Sequence, residues 1–356
     1  MEKPRILIYT DPHLGQTLGA NTTQRSRERM RESREAVMEK ILAKGTQFTH
    51  RICVGDFFDR YQNPEQVIIA SAKHAKRTDF ILGGNHDVIN DKDKVGSLHL
   101  LQEMLGSTGQ ANILLPVFDK VVIDSFTYGD NTFFAVPHHS SKDLFEQALK
   151  KAENLAAQYK DKKKFLLLHC NYASGFAKND TELNLTQERA IKLLKKFDYI
   201  IIGHDHHFKT DLGDKVIVLG SVHPTSFSDA GTHHVLEIYD GEVIDHVSWE
   251  GVVRTVDVSE LGNIDETKTH FLKITGFAEP SQVVEMTKRI KRMWDNPSCQ
   301  LFALKSEVKV VSNLAASGLS ASIAGKVRLT DIIEKELAAS PELLKLWKEV
   351  SNVEAA

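Results

Sequence analysis

Five short segments of this 356-residue chain carry side chains suited to hard or intermediate metal ions. They are Asp11-Pro12-His13, Gly55-Asp56-Phe57-Phe58-Asp59, Gly83-Gly84-Asn85-His86-Asp87, His169-Cys170-Asn171 and Gly203-His204-Asp205-His206. Carboxylate, imidazole and amide oxygen without thiolate favour Mn2+, Fe2+ or Zn2+ over a soft-metal site. A lone Asp-x-His carries little weight, whereas five such segments, each ending or following a strand-like run, carry much more. Two divalent ions roughly 3.5–4 Å apart can clamp the attacking and leaving oxygens of a phosphoryl displacement. A shared carboxylate is the simplest way to hold two cations that close, and Asp56 is the candidate bridge.

The surrounding elements must bring these segments together. Apolar runs and alternation predict strands at 5–10, 50–54, 79–82, 132–136, 165–169, 199–202, 216–219, 233–239 and 242–248. Helical periodicity predicts helices at 24–43, 64–76, 97–105, 141–158 and 186–196. Strands joined through helices pair in parallel, while Asp240-Gly241 marks a late hairpin. The result is a layered α/β domain, which places its site in loops at the carboxyl ends of parallel strands. Beyond Trp249, strand-like 252–258, 270–275, 299–304 and 307–311 surround a helical 281–294, predicting a small α+β unit. The Ala-, Ser- and Gly-rich stretch 312–325 reads as a flexible linker, and 330–351 as helix broken at Ser340-Pro341.

Composition narrows the function classes. With 41% apolar and 26% charged residues the chain reads as an ordinary soluble protein, and its apolar runs are too short to span a membrane. It enters a strand at Arg5 without a signal-peptide pattern, and Cys53, Cys170 and Cys299 are scattered; a cytoplasmic location is expected, that of the host if the chain is phage-encoded. A net charge of −3 offers no global attraction to nucleic acid, so DNA binding needs local basic patches. Arg25, Arg27, Arg29, Arg31 and Arg34 form one such stripe on a predicted helix, with a solvated, salt-bridged face as the equal alternative. Lys288-Arg289 and Lys291-Arg292 lie opposite the apolar Val283, Met286, Ile290 and Met293. In the tail, Leu329, Ile332, Ile333 and Leu337, then Leu343, Leu344, Trp347 and Val350, recur at helical spacing. Short helices cannot bury such faces alone.

The order D-x-H, G-D-x-x-D, G-N-H-D, H and G-H-x-H resembles the calcineurin-like metallophosphoesterase superfamily. Within it the chain resembles the SbcD-type recombination nucleases, including phage versions. His13-Leu14-Gly15-Gln16 follows the first motif as in those nucleases. The segment from Gly220-Ser221 to Ser226-Phe227 is similar to their G-S-P-x-x-x-S-F, although His223 intrudes and Pro224 is displaced.

The resemblance implies an α/β/β/α metallophosphoesterase sandwich over 1–250 and a small α+β capping, DNA-contact domain over 251–311. A flexible linker over 312–328 would then lead to a C-terminal helical tail, 329–356, that binds an SbcC-type coiled-coil ATPase. It implies two divalent ions, with Mn2+ expected and Mg2+ or Fe2+ as alternatives. One would be held by Asp11, His13, Asp56 and His206, and the other by Asp56, Asn85, His169 and His204. His86 is the implied general acid. Asp87 would orient its imidazole or else stabilise the turn, and Asp59 would support the site or contact substrate. DNA contacts are expected from Arg25, Arg27, Arg29, Arg31, Asp59 and His223. The implied activity is 3'-to-5' duplex exonuclease and single-strand endonuclease action by a homodimer working with the ATPase.

A small-molecule or protein phosphoesterase of the same superfamily would share every ligand. Asp87 where protein phosphatases carry Glu, Tyr61 after Arg60, and the extra chain beyond Trp249 weigh against it. A non-catalytic tether is disfavoured because every ligand position is filled. Among the other histidines, His138-His139 face the cleft or the surface, His207 lies beside the site, and His233-His234 are structural.

Overall fold

A computed structural model describes residues 3–16, 22–43, 47–87, 95–106, 112–174, 182–311, 337 and 341–345. The predicted linker and most of the helical tail lie outside the described residues. The chain divides into two compact units, one of Met1–Gln16 with Arg34–Glu250 and the other of Thr17–Ser33 with Gly251–Ala356.

The large unit begins with β1 (Arg5–Tyr9), α1 (Gln24–Ile41, which it shares with the small unit), β2 (His50–Val54), α2 (Glu65–Ala75) and β3 (Phe80–Leu82). It continues through α3 (Ser97–Gly106), β4 (Asn112–Leu114), β5 (Asp124–Tyr128), β6 (Asn131–Val136), α4 (Lys142–Ala156) and β7 (Lys163–His169). A short pair, β8 (Asn171–Tyr172) and β9 (Asn184–Leu185), precedes α5 (Gln187–Leu193). Then come β10 (Tyr199–Gly203), β11 (Lys209–Asp211), β12 (Val216–Val218) and the hairpin β13 (Thr232–Tyr239) and β14 (Glu242–Glu250).

These strands make two six-stranded mixed sheets, ordered β14-β13-β1-β2-β3-β4 and β11-β12-β10-β7-β6-β5. Strands β1 to β4 pair in parallel, as do β6, β7, β10 and β12, whereas β13, β14, β5 and β11 are antiparallel additions. Side chains alternate with period two and sort into three apolar layers. Ile6, Ile8, Ile52 and Val54 from the first sheet meet Phe133, Phe165, Leu167 and Ile201 from the second in the middle layer. Leu7, Tyr9, Cys53 and Ile81 turn outward onto Met38 of α1, Ile68 of α2 and Leu101 of α3. Phe134, Leu166, Leu168 and Ile200 turn the other way onto Phe145 and Leu149 of α4 and Leu193 of α5. Each fully buried side chain of this kind contributes about 1.5–3 kcal/mol relative to exposure. The architecture is the expected α/β/β/α sandwich.

The small unit adds β15 (Val253–Asp257), β16 (Phe271–Thr275), β17 (Phe277–Ala278), α6 (Pro280–Asp295), β18 (Ala303–Ser306) and β19 (Lys309–Val310). Strands β15, β16 and β18 form a parallel sheet, and β17 pairs with β19. Helix α6 starts at Pro280 behind a capping box from Glu279 and Gln282, and buries Val283, Met286, Ile290 and Met293. Residues 17–33, expected in the large domain, group instead with this unit. Ser26 Oγ accepts from the Leu304 peptide at 3.1 Å, and Thr22 bridges to Lys305.

Candidate metal centre

All five ligand-bearing segments sit at carboxyl ends of parallel strands. Asp11 and His13 follow β1, Asp56 and Asp59 follow β2, and Asn85 and His86 form a short 3-10 turn after β3. His169 ends β7, while His204 and His206 follow β10. The backbone leaves these strands abruptly. Asp11, His13, Asp56 and His204 all have positive φ, at 51°, 42°, 47° and 101°. Such conformations cost non-glycine residues on the order of 1–3 kcal/mol each and collect where function demands them. Gly55 and Gly84 leave room, since a Cβ on the first would overlap the His169 ring and one on the second would overlap Asp56.

Two ligand groups result. In the first, His13 Nε2 faces His206 Nε2 at 3.1 Å, and Asp11 Oδ1 lies 3.8 and 4.0 Å from these two nitrogens. In the second, Asn85 Oδ1 lies 3.0 Å from His169 Nε2 and 2.8 Å from His204 Nδ1. Asp56 Oδ2 reaches both, 3.8 Å from His13 Nε2 and 3.3 Å from His169 Nε2. Asp56 thus lies between the two candidate groups.

The donor set fits divalent cations. Asp11 Oδ1 is buried without a hydrogen-bond partner among the described residues, and such a loss costs roughly 1–3 kcal/mol. His169 donates Nδ1–H to the Val54 carbonyl at 2.9 Å, which directs Nε2 toward Asp56 and Asn85. Acceptors then converge on a space where a cation serves all of them. The same demand is visible in the acid–base chemistry. Burial disfavours charge on His169, yet Asp56 raises its pKa to about 10. Burial likewise raises Asp56, but His169 and His13 hold its carboxyl well below the ordinary range. Burial lowers His13 strongly and His204 to about 4, and raises Asp11.

Residues 4–208, more than half the chain, match the calcineurin-like phosphoesterase family. The chain belongs to that family. No curated protein sequence matches it. Many solved chains resemble it, three of them as follows. One is a protein described as a 5'-nucleotidase from Staphylococcus aureus, with 16% identity over 65% of this chain and 50% of that one, at a TM-score of 0.40. Another is the calcineurin-like phosphoesterase YfkN from Bacillus subtilis, with 14% identity, 82% and 97% coverage and a TM-score of 0.38. The third is the sulfate thiohydrolase SoxB from Thermus thermophilus, with 10% identity, 69% and 56% coverage and a TM-score of 0.36. The chain spans half the length of the first and just over half of the third.

Other expected site residues of this calcineurin-like phosphoesterase fall in different places. His86 lies at the edge of the centre with its side chain 42% exposed and Nε2 4.0 Å from Asp56 Oδ2. Its Nδ1–H goes to the Asp59 carbonyl at 2.5 Å, not to Asp87. The expectation that Asp87 orients the imidazole is corrected here. Its carboxylate turns inward and accepts from the peptides of Gly84 (2.9 Å), Phe57 and Phe58 (both 3.3 Å), tying the second and third motif loops together. Burial and Asp56 raise its pKa to about 7. Asp59 stands behind His13, with Oδ1 3.6 Å from Nδ1, and burial raises its pKa.

His223 cannot reach DNA as expected, because it is 1% exposed and packs its ring against Trp249. Of the arginine stripe, Arg25 bonds the Trp294 carbonyl and lies 3.6 Å from Asp295, while Arg27 bonds the Thr22 carbonyl. Arg34 is buried on Gln16 and the Pro224 carbonyl, Arg29 is partly exposed and Arg31 is exposed. His139 is structural, bonded to Pro137 and Val122. His138 is the cleft histidine of that pair, and burial, then His169 and His204, lower its pKa to about 3. His207 bonds the Ser228 carbonyl and stays outside the ligand groups. Sequence reasoning missed Thr225 and Asp229, which stand behind His206. Their only signal was their place in or beside the segment from Gly220 to Phe227.

Proposed function

We propose that this chain is a Mn2+-dependent DNA phosphodiesterase, the nuclease subunit of a recombination and repair complex with an SbcC-type ATPase. The observation that carries the reading is the pair of ligand groups joined through Asp56. Asp11, His13, Asp56 and His206 would hold one ion, and Asp56, Asn85, His169 and His204 the other. Bound there, the ions supply Lewis-acid charge neutralisation and an activated water for phosphoester hydrolysis. His86 would protonate the leaving oxygen. It is exposed, next in sequence to Asn85, and its Nδ1 is anchored so that Nε2 faces the centre.

DNA as substrate is supported by exposed cations, Arg31 on α1 and Lys288, Lys291 and Arg292 on α6. A homodimer is supported by Ile69 on α2 and Leu100 and Met104 on α3, large apolar side chains left exposed on two helices that pack together. The ATPase partner rests on the spacing of the tail. No helix among the described residues is long and apolar enough to cross a membrane.

The test is a Mn2+-dependent assay on end-labelled duplex and single-stranded DNA, run beside bis-p-nitrophenyl phosphate and nucleotides. Shortening of duplex from 3' ends and cutting of single strands are expected. Nucleotide turnover without DNA cleavage would replace this reading with the small-molecule phosphoesterase. Deleting residues 326–356 should abolish association with the ATPase while sparing basal nuclease activity, and retained association overturns the partner assignment.

A further inference from the structure

We infer that Asp229 is a positioning residue of the metal centre, acting through His206; the inference rests on the two-metal reading above. Asp229 is 7% exposed and lies beyond the residues matched to the family. Its Oδ2 accepts from His206 Nδ1 at 3.0 Å, from the Thr225 peptide at 3.2 Å and from the Thr225 hydroxyl. Its Oδ1 takes the hydroxyls of Ser226 at 2.9 Å and Ser228 at 3.2 Å. Thr225 Oγ1 also lies 2.8 Å from His206 Nδ1, so hydroxyl and carboxylate share one imidazole proton.

That arrangement keeps the proton on Nδ1 and leaves the Nε2 lone pair facing Asp11 and His13. A carboxylate behind a ligating imidazole fixes both tautomer and ring direction and raises ligand basicity. His206 needs the tether more than His13 or His169 does. Its side chain is 26% exposed, against 2% for His13 and 0% for His169, so packing alone does not hold the ring. Among the four candidate ligand histidines, His206 is the one whose non-ligating nitrogen has a carboxylate hydrogen bond among the described residues. His169 uses the Val54 carbonyl, and His13 Nδ1 lies 3.6 Å from Asp59. Asp229 is itself pinned, since Ser226 caps its 3-10 turn and the buried His233 ring lies 2.5 Å from its carbonyl.

The experiment titrates Mn2+ into metal-stripped wild-type, Asp229→Asn and Thr225→Val proteins, following free Mn2+ by electron paramagnetic resonance, with melting of each metal-free protein. Wild type should take up two ions. Asp229→Asn should weaken one ion on the order of 10–100-fold and spare the other, because an amide can turn its NH2 to Nδ1 and move the proton to Nε2. Thr225→Val should weaken the same ion less. Two ions held by Asp229→Asn as in wild type, or both weakened equally alongside a lowered melting point, overturns the role of Asp229 and leaves the two-metal reading standing. A wild-type protein that takes up no divalent ion overturns the two-metal reading itself.

Discussion

Three clusters of charged and polar groups in this molecule obey different rules. At the strand ends of the large unit, Asp11, His13, Asp56 and His169 are each at most 1% exposed, and Asp11 Oδ1 has no hydrogen-bond partner among the described residues. On α1 and α2 of the same unit, Glu35, Glu39 and His74 also converge at ligand spacing, but Lys73 and Arg77 already sit on the two carboxylates. On α6 of the small unit, Lys288, Lys291 and Arg292 are exposed to water while the opposite face is packed. Buried acceptors facing one another require a cation, whereas a cluster that holds its own lysine does not. Exposed cations make no structural demand at all, so they speak to function only through a partner.

The largest expected effect breaks the first cluster at its joint. Asp56→Ala should lose both Mn2+ ions and at least about a thousandfold in phosphodiester turnover, some 4 kcal/mol of barrier. Metal analysis beside bis-p-nitrophenyl phosphate hydrolysis checks this, and retention of two ions would remove Asp56 from the bridge. Next, His86→Ala should keep both ions yet lose on the order of 10²–10⁴-fold in turnover. If metal content falls with activity, His86 is a ligand.

The exposed cluster should behave in the opposite way. Replacing Lys288, Lys291 and Arg292 by Ala should leave bis-p-nitrophenyl phosphate hydrolysis intact and weaken DNA binding. The salt dependence of binding should become shallower by about 0.7–0.9 for each phosphate that these side chains would otherwise neutralise. An unchanged salt slope removes α6 from the DNA path.

The smallest effect concerns the self-neutralised cluster. His74 and then Lys73 lower the Glu35 pKa from 4.5 to about 2. As pH falls the unfolded chain therefore takes up this proton first, so stability present above pH 4.5 is lost toward pH 2. Glu35→Gln should flatten the fall in melting temperature across that window by a few degrees at most, since the pair is partly exposed. Stabilisation of this cluster by added Mn2+ in metal-stripped protein with the Asp56→Ala change would contradict the contrast with the first.

Much of the fold was readable because its signal is local. Nine predicted strands and five helices of the large unit recur within a few residues of their observed bounds, and the β13–β14 hairpin turns at Asp240-Gly241. The strands of the large unit that escaped are β4 and β11, three residues each, the two-residue β8 and β9, and β5, Asp124–Tyr128. β5 and β11 are edge strands without a buried run, and pairing with a neighbour creates them more than their own pattern does. The candidate ligands were equally visible, since each combines a metal-binding side chain with the end of a buried strand.

The chain order alone thus determined which residues stand at the carboxyl ends of parallel strands, because strand periodicity and glycine-rich exits are written in consecutive residues. Tertiary structure decided what each of them faces. It turned Asp87 inward onto three peptide groups, buried His223, gave Arg25 and Arg27 to carbonyls within the small unit, and put Asp229 behind His206. Hydrogen-bond partners and burial depend on side chains far apart in sequence, and no local spacing encodes them.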